Sequence, residues 1–106
     1  MNYKELLFTA VGEQFEEHNI KSVYFRYLVD NGQSEVFAKN IKDEKAEIEL
    51  TKSEISKIRF LFLSKVERQM KKEFPDKELV SIIAEVKVSE KDFIVYAEFK
   101  DETIQL

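Results

Sequence analysis

The sequence predicts an α+β fold: a two-layer sandwich in the order α-β-β-β-α-β-β, with an antiparallel sheet carrying both helices on one face. Three observations lead there. Two segments, around residues 3–15 and 55–70, repeat apolar side chains at helical spacing. Two others alternate about a short polar turn, so that each hairpin would have one apolar face and one mixed face. The chain has 106 residues, which fits a single domain over 1–106 that can bury a core without metals or disulfides.

The first segment reads as a helix of about four turns. Tyr3, Leu7, Ala10, Val11 and Phe15 share one side, while Glu5, Glu13, Glu16 and Glu17 point elsewhere. Gly12 lies inside this helix, and Asn19 after His18 suits a left-handed stop. Residues 22–29 then alternate, with Val23, Phe25, Tyr27 and Val29 on one side. Asn31-Gly32 supplies the pair that a two-residue type I′ turn prefers. That turn would set Phe25 opposite Ala38, Tyr27 opposite Val36 and Arg26 opposite Phe37.

Residues 45–50 alternate again and predict a short third strand. Thr51 and Glu54 form a capping box that starts a helix at Lys52. Ile55, Ile58, Phe62, Val66, Gln69 and Met70 share one arc of that helix, which must end before Pro75. Phe60 and Leu61 fall outside the arc. The last hairpin joins residues 79–88 to 93–100 through a four-residue loop at 89–92, pairing Val88 with Phe93 and Val86 with Val95. No internal repeat, linker or low-complexity stretch is apparent.

Composition narrows the chemistry. There is no Cys and only one His, so thiol catalysis, Cys-ligated metals and multi-His metal sites are excluded. Both glycines, Gly12 and Gly32, sit in a helix and a turn, so no phosphate-binding glycine loop can form. His18 at a helix C-terminus reads as a capping residue that offsets the dipole. Catalytic residues, cofactors and metal ligands are therefore expected to be absent, and the chain is expected not to be an enzyme. The first 15 residues lack an uninterrupted apolar core, and the longest apolar run, Phe60 to Leu63, cannot span a bilayer. A cytoplasmic address without membrane association is expected.

Charge is unevenly distributed. The net charge is −4, yet residues 51–74 hold seven basic and three acidic side chains, which leaves the remainder strongly acidic. Lys57, Lys65, Arg68, Lys71 and Lys72 cluster opposite the apolar arc, a face that a nucleic-acid-binding or regulatory domain could use. The acidic remainder argues against nucleic acid. The outward sheet face mixes aromatic, aliphatic and charged residues, the composition of a protein-binding patch. Candidate partner contacts are Tyr24, Arg26, Glu35, Phe37, Glu47, Glu49, Glu85 and Tyr96.

Two stretches carry a resemblance to a known family. Residues 21–32, Lys-Ser-Val-Tyr-Phe-Arg-Tyr-Leu-Val-Asp-Asn-Gly, give a first strand with its turn, and residues 70–74, Met-Lys-Lys-Glu-Phe, run into the hairpin at 80–100. With the order of elements, they make the chain similar to the YezG-type toxin-immunity family. The resemblance implies a small acidic bacterial protein that acts by binding, neutralising a nuclease-type toxin by occlusion. A phage-encoded inhibitor of a host nuclease or defence complex would use the same physics. Either way the expected partner is a basic protein such as a toxin or nuclease, met by a monomer or a homodimer.

Overall fold

The computed structural model describes Glu5, Phe8 and residues 19–48, 50–88 and 90–106. Of the expected first helix, Glu5 and Phe8 are described and both are helical, with Phe8 packed against the core. The remainder of that helix, including Gly12 and His18, lies outside the described residues. Asn19 has φ 51°, the left-handed conformation that its sequence position suggests.

The described chain forms one antiparallel sheet of six strands and one long helix. The strands are β1 (Ile20–Leu28), β2 (Ser34–Asn40), β3 (Lys45–Ala46), β4 (Leu79–Lys87), β5 (Asp92–Phe99) and β6 (Thr103–Gln105), arranged in the order β3-β2-β1-β4-β5-β6. The sheet therefore has one strand more than alternation predicts. Thr103–Gln105 is too short to show periodicity, and forms because the chain doubles back beside β5, where Ala97 faces Ile104. Conversely, β3 is only two residues long. Ile48 and Leu50 still pack against the core, but outside a strand.

Both hairpins adopt registers two residues away from those expected. Phe25 faces Val36 and Tyr24 faces Phe37 in the first; Val86 faces Phe93 and Ile83 faces Tyr96 in the second. A shift of two preserves which side chains share a face, so the apolar faces survive intact. Cross-strand chemistry explains the choice. The observed pairing puts Tyr24 against Phe37 and Arg26 against Glu35, where the two-residue turn would have put Arg26 against Phe37. In the second hairpin, Lys87 faces Asp92.

The loops follow from these registers. The first is a four-residue loop over 29–32, closed by Gly32 N–H to Leu28 O at 2.9 Å and Leu28 N–H to Gln33 O at 2.8 Å. Only its last residue, Gly32, has positive φ, at 69°; Asn31 instead accepts the Gln33 N–H on its side chain at 3.0 Å. Freed from pairing with β2, Val29 donates its N–H to Val80 O on β4 at 3.1 Å. The second loop spans 88–91 rather than 89–92, and its last residue, Lys91, has φ 51°.

The structure also contains a repeat that the sequence does not announce. Landmarks of the unit from Ile20 to Ala46 recur 59 positions later, Leu79 standing for Ile20, Lys91 for Gly32 and Gln105 for Ala46. Each unit starts with a register irregularity, between Ile20 and Ser22 and between Leu79 and Ser81. The units meet through β1 and β4, where Phe25 faces its own counterpart, Ala84. A pseudo-twofold axis thus passes through that pair.

Val23, Phe25, Ala38, Ile82, Ala84, Val86, Val95, Ala97 and Phe99 are buried on the inner face, against Ile58, Phe62, Leu63 and Met70 of the helix. The helix starts at Thr51, whose hydroxyl accepts the Glu54 N–H at 3.1 Å and donates to the Glu54 carboxylate at 3.0 Å. It is not uniformly α. Segments α1 (Lys52–Ile58) and α2 (Ser64–Glu73) are joined by a π-helical turn, Arg59–Leu63. Ser64 N–H reaches Arg59 O, five residues back. The Phe60 carbonyl thereby loses its α-helical donor and accepts the Ser64 hydroxyl at 3.1 Å. The wider turn swings Leu63 under the helix, so that Phe62 and Leu63 are both buried. Strict α periodicity omits Leu63 from the buried arc and includes Gln69, which is exposed and donates to Glu73 at 3.1 Å.

Three contacts seat the helix. Phe62 meets Phe93 edge-on at 5.8 Å, and Phe74 meets Phe99 at 5.5 Å. Tyr27 of β1 lies beside the Glu67 carboxylate, whose side chain is only 13% exposed. Burial first, then that carboxylate, raises the Tyr27 pKa above its ordinary value. Raising the folded-state value favours the neutral phenol. The stabilisation is full below about pH 10 and is lost as pH rises through the folded pKa. Urea titrations of Tyr27→Phe against the parent should accordingly show a smaller loss of stability above about pH 10 in the variant.

The two left-handed loop positions make a matched pair. A Cβ at Gly32 would meet nothing within 4 Å, so Gly32→Ala tests backbone strain alone. It should lower stability by about 1 kcal/mol, while Lys91→Gly should change it by less than about 1 kcal/mol, in the stabilising direction. Chemical denaturation of both variants checks this.

Candidate protein-binding faces

Because side chains alternate along each strand, burying one set against the helix presents the other set on the outer face. Tyr24, Arg26, Glu35, Phe37, Glu85 and Tyr96 all lie on that face, on four adjacent strands. Six of the eight candidate contacts are thus brought together. Glu47 follows β3 and is exposed at the sheet edge, while Glu49 lies outside the described residues.

Two clusters organise the face. Tyr24 and Phe37 stack with ring centres 4.9 Å apart and planes 11° from parallel, and the Lys39 ammonium sits 5.8 Å from the Tyr24 ring. Phe37 is 37% exposed. Beside them Arg26 donates to Glu98 at 3.0 Å and lies 4.0 Å from Glu35. Ser81, fully buried, donates to the same Glu98 oxygen at 3.1 Å. Glu98 and Ser81 join a network absent from the candidate set. The signal was a lone serine inside the apolar run of β4, since a buried hydroxyl needs an acceptor.

The network means that the outer face is not uniformly acidic. Arg26 is neutralised by Glu98 and Glu35, while the half-exposed aliphatic and aromatic groups Leu28, Ile83, Ile94 and Tyr96 border it. At the sheet end Lys21 donates to Asp43 at 2.9 Å, and that hydrogen bond raises the lysine pKa and lowers that of the aspartate.

A second face lies on the solvent side of the helix. Lys57, Lys65, Arg68, Lys71 and Lys72 are all exposed there. Lys71 bridges to Glu67 at 3.6 Å. Phe60 is 62% and Leu61 44% exposed among these cations. The Arg59 guanidinium lies 4.6 Å from the Phe60 ring centre and donates to Gly32 O at 3.2 Å.

Between the helix and β5 runs a groove of about 440 Å3, floored by Phe62, Met70, Phe93 and Val95 and flanked by Glu73 and Asp92. Among the described residues, no group of three or more His, Cys, Asp or Glu is placed to hold a metal ion. No described helix is long and apolar enough to cross a membrane.

No protein-family model, curated protein or solved structure matches this chain. Its surfaces have to be interpreted from their own chemistry.

The Arg26 network carries a stability prediction. Arg26→Ala leaves Glu98 half-buried without its cation, so it should cost about 1–2 kcal/mol. Glu35→Ala removes only the longer, exposed contact and should cost less than about 0.5 kcal/mol. Denaturant midpoints of the two variants should rank accordingly.

Proposed function

We propose that this protein is a binding module that inhibits a partner protein by occlusion, in the manner of a toxin-immunity protein neutralising a nuclease-type toxin. The observation that carries the proposal is the outer sheet face. Tyr24 stacked on Phe37, and Ile83, Ile94 and Tyr96 on the neighbouring strands, give it rigid aromatic and aliphatic groups. Charged residues are interleaved with them, Arg26 between Glu35 and Ile83 and Glu85 between Tyr24 and Ile94, so aromatic anchors and charged groups share one surface, as they do in protein interfaces. Aromatic pairs held by strand backbone lose little entropy when they are covered.

Net charge supports the same reading. The chain carries −4 overall, and because the long helix is net positive, the rest of the chain is more acidic still. An acidic inhibitor gains association rate toward basic, nucleic-acid-handling targets. The resemblance of residues 21–32 and 70–74 to the immunity family points to that class of partner. In this reading the protein does no chemistry of its own and works in the compartment that its target would otherwise damage.

Affinity capture from the source organism's lysate should recover one stoichiometric, basic protein. Against that partner, Tyr24→Ala plus Phe37→Ala should weaken binding at least about tenfold, as expected for two central aromatic anchors. An affinity within about twofold of the parent would remove the sheet face from consideration.

A further inference from the structure

We propose that the exposed ridge of the long helix is a second docking site, fitted to an apolar groove bordered by carboxylates on a partner protein. The ridge lies on the opposite layer from the sheet face, so the two sites stand or fall separately.

The first support is exposure. Single apolar side chains on a surface are ordinary. Phe60 and Leu61 are neighbours, 62% and 44% exposed, and sit where an amphipathic helix normally carries polar residues. The π-helical turn makes the arrangement possible, because its wider winding lets Phe62 and Leu63 face the core while Phe60 and Leu61 face out. That turn has less favourable hydrogen-bond geometry than α-helix, and such turns concentrate at functional sites.

Charge supplies the second support. Lys57 precedes the apolar pair, and Lys65, Arg68 and Lys72 follow it, all exposed. The carboxylates of the helix are engaged or distant. Glu54 is held by Thr51 in the cap, Glu67 is paired with Lys71, and Glu73 bonds Gln69 at the far end. Between Lys57 and Lys72 no free carboxylate interrupts the ridge. An apolar crest between cations on one helical face is the pattern of helix-in-groove recognition, and its complement is a groove with acidic borders.

The pairing of Phe60 with an aliphatic neighbour favours a protein over a nucleic acid. The Arg59 guanidinium lies 4.6 Å from the Phe60 ring centre and is anchored to Gly32 O, so one face of the ring is already covered. Leu61 has no stacking surface at all, but both side chains suit an apolar pocket.

The test titrates the full chain with three fluorescent probes at about 0.15 M salt: poly-glutamate, a glutamate–tyrosine copolymer, and a short DNA duplex. The copolymer should bind at least about tenfold more tightly than poly-glutamate. Phe60→Ser plus Leu61→Ser should abolish that preference while leaving the melting temperature close to the parent's. Lys65→Glu plus Arg68→Glu should remove binding to both polymers, and Tyr24→Ala plus Phe37→Ala should change neither. Equal affinity for both polymers, failure to bind the copolymer, a preference that survives the Phe60/Leu61 changes, or tighter binding to DNA would each overturn the proposal.

Discussion

Everything else in this protein is arranged around the pairing of β1 with β4. These central strands run antiparallel from Ser22 opposite Lys87 to Leu28 opposite Ser81, and Val23, Phe25, Ile82, Ala84 and Val86 between them are buried. Each strand carries its own three-strand unit outward, so this one ladder joins two halves that would otherwise be separate meanders. At its middle a large and a small side chain face each other, Phe25 and Ala84. Ala84 is followed across the sheet by Val95, and Ala97 faces Ile82. Small residues there let the helix sit close while Phe25 fills the other half, so the volumes interlock without strain.

Once that ladder is fixed, the two outward surfaces acquire different chemistries. The sheet's outer face inherits whatever alternates with the core, and selection on it is free of packing. Its aromatic stack and its Arg26–Glu98–Ser81 network are stiffened by backbone on either side. The helix ridge is shaped by a different constraint. Leu63 can be buried together with Phe62 only through a π-helical turn, and the same rotation leaves Phe60 and Leu61 in solvent. The cations of that ridge thus lie on the helix layer, apart from the mixed charges of the sheet's outer face.

The pseudo-twofold relation adds a further asymmetry. Arg26 corresponds to Glu85 and Lys39 to Glu98 when the halves are superposed by their offset. Core positions such as Val23 and Ile82 or Ala38 and Ala97 keep their type, while these two outer positions exchange sign. Ser22 and Ser81, both buried beside the register irregularities, are kept. Packing holds the two units alike, and the solvent-facing residues were free to diverge. This divergence hides the repeat in the amino-acid string, where within the unit 20–46 only Ser22, Val29, Val36 and Ala38 recur at that offset, as Ser81, Val88, Val95 and Ala97.

By itself the sequence determined the fold class, the inner and outer face of each long strand, the capped start of the helix at Thr51 and its end before Pro75. All of these follow from interactions between near neighbours: side-chain periodicity, a hydroxyl reaching three residues ahead, and a proline ring against the residue before it. It also indicated that Phe60 and Leu61 would lie outside the core, and it grouped Tyr24, Arg26, Phe37, Glu85 and Tyr96 on one face. Only the tertiary structure decided the strand order, the registers, β6, the π-helical turn and the Arg26–Glu98–Ser81 network. Alternation cannot distinguish registers two residues apart, because both leave the same side chains inside. The choice fell to contacts between residues distant in the chain: Tyr24 on Phe37, Arg26 beside Glu98, and Val29 bonded to Val80. Such contacts exist only once β1 and β4 have met.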